Sequence, residues 1–112
     1  MLAVLLAALV LAHHSTAPFD LTRPAVVKGV VTKVDWENPH AHIYLDIEDE
    51  NGKVEQWTVE IDSPHFLLRN GWTKDTVKVG DVITCHGARA RSGANLLRCN
   101  LVELADGRKL DS

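Results

Sequence analysis

The sequence predicts a mainly β fold, and three observations carry that prediction. Five stretches of eight to eleven residues, at 26–36, 40–48, 54–61, 81–89 and 95–104, are rich in β-branched and aromatic residues and bounded by turn chemistry. A single helical signal, 63–71, stands between the third and fourth of them. The first carries Gly29 in its interior, which marks a bend or bulge of the kind strongly curved strands use. Three strands, a short helix and two more strands is the order of the five-stranded OB-like barrel, with the helix closing one end. A small β-sandwich or an SH3-like barrel needs no helix at that place.

Residues 1–12 are an apolar run ending in Val10-Leu11-Ala12, too short for the ~20 residues that span a bilayer. The run reads as a signal peptide with a small-residue cleavage site after Ala12, although no Lys or Arg precedes it. A membrane-tethered tail or a buried amino-terminal helix are the alternatives. Removal of 1–12 leaves a periplasmic or secreted chain that begins at His13 and is no integral membrane protein.

Residues 13–25 are polar, contain two prolines and show no period, so they read as an extended arm anchored by Phe19. Residues 26–112 form the barrel domain. Within it, Asn38-Pro39 turns the first strand into the second. Asp49-Glu50-Asn51-Gly52 is a hairpin signal. With Glu50-Asn51-Gly52 as the loop and Gly52 left-handed, paired residue numbers sum to 102, so Glu60 falls opposite His42 and Asp62 opposite His40. Ala41, Ile43 and Leu45 then share the core face with Trp57, Val59 and Ile61. Ser63 is the helix N-cap, Pro64 suits the first helical position and Gly71 the stop. A three-residue loop Arg91-Ser92-Gly93 sets the last hairpin to a sum of 184, with Cys85 opposite Cys99 and Gly87 opposite Leu97. A charged tail follows Asp106-Gly107.

The formal net charge of −3 is a poor footprint for nucleic acid, and the arginines at 89, 91 and 98 read as a solvated edge. Cys85 and Cys99 are the only cysteines and are not a C-x-x-C pair. In an oxidising compartment a Cys85–Cys99 disulfide is expected. Directly opposed Cβ atoms lie ~4.5–5.5 Å apart, beyond the ~3.5–4.5 Å a disulfide prefers, so the alternative is two packed thiols.

The chemistry-bearing pattern is the histidine set. His40 and His42, at i and i+2, share the outer face of the second strand with Tyr44 and Asp46. A processed His13 offers its amine and its ring to one ion, and copper(II) prefers such tetragonal nitrogen ligation. The expected metal ligands are therefore His13, His14, His40 and His42, with Tyr44, Glu60 and Asp62 as supporting groups. The alternative is a metal-free module that binds a small ligand or a protein on the outer face of strands two and three, where OB barrels bind. No Gly-x-Ser-x-Gly, His-Glu-x-x-His or phosphate-loop motif is present, so a binding protein is expected rather than an enzyme.

Ala12-His13-His14-Ser15, Trp36-x-Asn38-Pro39-His40, Trp57-x-x-Glu60, Arg69-x-Gly71-Trp72-Thr73, Gly80-Asp81 and Ala105-Asp106-Gly107-Arg108 resemble a family of short exported bacterial proteins of unknown function. The resemblance implies an exported barrel-like domain and brings no activity with it. It departs at His42, where that family commonly carries a large apolar side chain.

Overall fold

The computed structural model describes residues 18–112. The elements are β1 (Phe19–Asp35), β2 (His42–Glu48), β3 (Val54–Glu60), α1 (Pro64–Arg69), β4 (Val82–Ala90), β5 (Leu96–Glu103) and β6 (Lys109–Asp111). The sheet runs β3-β2-β1-β4-β5-β6, and a parallel pairing of β3 with β5 closes the first five strands into a ring. This is the barrel the strand–helix–strand order predicts. Closure leaves no free edge on those strands, and β6 adds a short sixth strand along β5.

The core follows from the period-two alternation. Ala41, Ile43, Leu45, Val59 and Ile61 are fully buried, and Leu97 and Val102 join them from β5. The β2–β3 hairpin has the expected register, with His42 opposite Glu60 and Leu45 opposite Trp57. Its turn is set by Gly52, whose φ of 79° is left-handed, while Asp49 accepts from the backbone of Asn51 and Lys53.

The helix closes one end of the barrel. Ser63 Oγ accepts from the Phe66 N–H, Pro64 opens the helix, and the Trp72 N–H bonds back to the Leu67 carbonyl past Gly71. Leu67 and Trp72 enter the core, and the Trp72 indole donates to the Asp111 carbonyl at 2.8 Å, which ties the plug to β6.

Four features differ from the sequence expectation. First, β1 starts at Phe19 instead of residue 26. Phe19 pairs with Ala90 and is buried among Ala88, Ala90 and Leu96, so the expected anchor is real; residues 20–23 lie in a register shift between Phe19 and Pro24. Second, the β1–β2 bulge lies between Val31 and Lys33, not at Gly29. Gly29 is instead where β1 meets the β2 backbone: a Cβ there would sit 2.5 Å from the Asp46 carbonyl oxygen. Third, the tail contains β6, three residues too short to show a period.

Fourth, the β4–β5 register is not the unbroken sum of 184. A shift between His86 and Gly87 sets Cys85 opposite Val102 and Gly87 opposite Cys99. A Cβ at Gly87 would lie 1.9 Å from the Arg98 carbonyl oxygen, so only glycine admits this approach. The cysteines are therefore diagonal neighbours, and in this structure both are free thiols.

Candidate functional site

The outer face of β2 and β3 gathers the side chains that alternation assigns to it. His40 Nδ1 and His42 Nε2 face the same oxygen of Glu60, Oε1, at 3.8 and 3.5 Å. His40 is held by the turn before β2, where the Asn38–Pro39 peptide is cis; His42 is held in the ladder directly opposite Glu60. All three side chains are half-buried: Glu60 is 17% exposed, His40 24% and His42 32%.

Barrel closure adds a residue the sequence reading did not place there. Arg98 of β5 pairs with Glu60 of β3 in the parallel ladder. Its guanidinium lies 3.9 Å from Glu60 Oε2 and 3.5 Å from Asp62 Oδ2, and it donates to the Glu60 carbonyl at 3.3 Å. Arg98 alternates outward between the buried Leu97 and Cys99, so its face was legible; its neighbours follow only from the β3–β5 contact.

The supporting residues divide. Asp62 stands beside Arg98, and its other oxygen accepts from the Ser63 N–H, so it orients the guanidinium rather than an imidazole ring. Tyr44 points to β1, donating to Asp35 Oδ2 at 3.1 Å with Lys33 over its ring. Desolvation and the Asp35 carboxylate raise its phenol above the ordinary value. His13 and His14 lie outside the described residues. Among the described residues no set of three or more His, Cys, Asp or Glu side chains is arranged to hold a metal ion.

Glu60 Oε2 is buried and has no hydrogen-bond partner. The imidazoles aside, the Glu60 and Asp62 carboxylates and the Arg98 guanidinium give the face one formal negative charge. A cleft of ≈ 400 Å³ opens beside the cluster, bounded by Asp62 and Arg98 on its polar side and by Leu21, Pro24 and Phe66 on its apolar side.

Away from this face, His86 Nε2 lies 2.8 Å from Glu103 Oε2, and Lys109 approaches the same carboxylate at 3.4 Å. The His86 hydrogen bond, with help from Lys109, holds the Glu103 carboxyl below its usual range. No helix among the described residues is long and apolar enough to cross a membrane.

No curated protein matches the chain. Among solved structures, the crystal structure of the ZRD-deleted mutant of TiaS in complex with agmatine is similar at 16% identity, with a TM-score of 0.49. The match covers 76% of this chain and 22% of that one, so this chain spans less than a quarter of that protein's length. Residues 2–97, which include the apolar run, the His13-His14 pair and the whole His40–Glu60 face, match a family of unknown function, DUF6152. The chain belongs to that family.

Proposed function

We propose that this chain is an exported small binding protein that holds copper(II) between the amino-terminal histidines and the His40–His42–Glu60 face. The observation that carries the reading is the convergence of two imidazole nitrogens on one half-buried carboxylate oxygen, at 3.8 and 3.5 Å. That arrangement is a partial donor set, and an ion bound there draws its remaining nitrogens from elsewhere.

Chain length makes the amino terminus a sufficient source. Pro18 is fixed by the Arg91 N–H donating to its carbonyl. From Phe19 the ladder runs through β4 and β5 to Val59, next to Glu60. Three strand spacings of ~4.8 Å separate the arm from Glu60, the cluster member it reaches first along that ladder. The five residues from His13 to Pro18 reach about 17 Å when extended. A processed His13 supplies its amine and ring, and His40 or His42 a third nitrogen, which suits tetragonal copper(II). His14 is the reserve donor.

The test is a copper(II) titration of protein beginning at His13. Placing one residue before His13, and separately substituting His40→Ala, each weakens binding by about tenfold or more, the scale seen when part of a metal-site constellation is lost. Unchanged affinity in both variants refutes the site.

A metal-free ligand is the second reading, favoured by the cleft that joins an apolar wall to the Asp62–Arg98 pair. It predicts copper-independent binding that Arg98→Ala abolishes and the added residue before His13 leaves intact.

A further inference from the structure

The cleft beside Arg98 forms where the arm, the helix and the last three strands meet, and its wall and its polar end differ in chemistry. Leu21, Pro24 and Phe66 make the wall. Leu21 and Phe66 are 59% and 38% exposed, so their apolar surfaces are open to whatever enters.

The register shift in β5 builds the polar end. Asn100, the extra residue, has no partner in β4, and its carbonyl accepts from the Ser112 N–H at 3.1 Å. The Ser112 carbonyl accepts in turn from the Asp62 N–H at 2.8 Å. These two bonds fix the Ser112 main chain beside Asp62, Arg98 and Asn100, which line the same cleft. Ser112 is only 5% exposed. Its hydroxyl has the Cys99 sulfur beside it, but that thiol donates its own hydrogen to the Leu101 carbonyl at 3.2 Å. No donor among the described residues therefore reaches the Ser112 oxygen, an orphan acceptor that a ligand N–H would satisfy.

Arg98 is loosely engaged. The one hydrogen bond it makes among the described residues goes to the Glu60 carbonyl at 3.3 Å. Its contacts with the Asp62 and Glu60 carboxylates, at 3.5 and 3.9 Å, are longer than the ~2.7–2.9 Å of a charge-assisted hydrogen bond. The guanidinium thus keeps N–H groups for a ligand acceptor.

Both signs of charge stand at this end, Arg98 against Asp62 and Asp111. An anion alone meets two carboxylates, and a cation alone meets the guanidinium. A head group with an ammonium and a carboxylate on one carbon answers both. Its carboxylate takes N–H bonds from Arg98, and its ammonium donates to Asp62 and to Ser112 Oγ. An apolar group on the same carbon then lies along Leu21, Pro24 and Phe66. Resting on the metal-free reading of this cleft, we propose that it binds a free α-amino acid with a large apolar side chain, of the leucine or phenylalanine kind. The volume of ≈ 400 Å³ lies within the ~300–1,000 Å³ of small-ligand sites.

The experiment is isothermal titration calorimetry on copper-free protein beginning at His13, with EDTA present. L-Leucine or L-phenylalanine binds saturably. Leucinamide, which lacks the carboxylate, and N-acetyl-leucine, which lacks the ammonium, each bind at least about tenfold more weakly than leucine. Glycine, which lacks the apolar group, is weaker by a similar factor. Ser112→Ala weakens leucine binding by about three- to tenfold and leaves the unfolding temperature unchanged, since the lost hydroxyl holds no donor of the protein. Leucine binding that leucinamide or N-acetyl-leucine equals, and that Arg98→Ala abolishes, overturns the zwitterion assignment while the cleft reading stands. Leucine binding that Arg98→Ala leaves intact overturns both. Saturable binding of neither amino acid overturns the proposal with no variant needed.

Discussion

Replacing Gly87 with alanine is the sharpest structural test of the β4–β5 register. The added methyl would sit 1.9 Å from the Arg98 carbonyl oxygen, 2.7 Å from its carbonyl carbon and 2.9 Å from Cys99 Cα. Ordinary contact begins at 3.4 Å, so the two strands must part by about 1.5 Å against backbone, which has no rotamer to yield. Overpacking of this kind costs ~1–3 kcal/mol. Each ladder hydrogen bond weakened beside it adds about 1 kcal/mol. Alanine restricts the unfolded chain and returns ~0.4–1 kcal/mol. The net loss is about 3 kcal/mol, or a fall in Tm of roughly 12 °C or more for a domain of this size. Urea and thermal unfolding followed by tryptophan fluorescence measure it. The unbroken register of sum 184 would put Gly87 opposite Leu97 at ~4.5–5.5 Å between Cβ positions, where a methyl fits. A Gly87→Ala protein as stable as wild type within ~0.5 kcal/mol would therefore refute the bulge and the cysteine geometry built on it.

Three further predictions rest on local contacts. Ser63→Ala removes the oxygen that caps the Phe66 N–H and lowers unfolding free energy by ~1 kcal/mol, read from the urea midpoint. The fold favours the protonated Tyr44 phenol, so this group's contribution to stability is complete below its unfolded value of 10.0 and is lost as pH rises through the higher folded value; Asp35→Asn brings the phenolate absorbance titration back toward the ordinary range. The Glu103 carboxyl is shifted in the opposite sense, so its contribution is present above the unfolded carboxylate value and disappears as pH falls through the lower folded value; a carboxyl-carbon NMR titration of His86→Ala shows Glu103 returning upward.

The parts of the fold legible in the sequence are those fixed by local chemistry. Gly52 and the shared apolar parity of Ile43, Leu45, Trp57 and Val59 determine the β2–β3 register, and that register alone places His42 across from Glu60. Ser63, Pro64 and Gly71 bound the helix for equally local reasons. What was not legible depends on backbone meeting backbone across long separations. A bulge adds a residue without altering side-chain type: the extra residue of the β4–β5 shift is Asn100 in β5, and its trace in β4 is Gly87, a glycine in mid-strand. Residues 20–23 show no alternation because they lie between two paired positions of β1. Arg98 joins Glu60 and Asp62 only when β3 closes on β5, and nothing within either strand encodes that contact. Tyr44 shares the expected face, yet its hydroxyl goes to Asp35 on the neighbouring β1, two residues along from its partner Lys33.

The central claim is that the His13 terminus and the β2 imidazoles ligate one copper(II) ion, and electron paramagnetic resonance reads that set of atoms directly. With one equivalent of copper(II), protein beginning at His13 is predicted to show an axial spectrum with nitrogen hyperfine structure. That structure simplifies when His40 and His42 are both replaced by alanine, and it simplifies again when a residue precedes His13. A nitrogen pattern identical in all three proteins, or one indistinguishable from copper in buffer, would contradict the account.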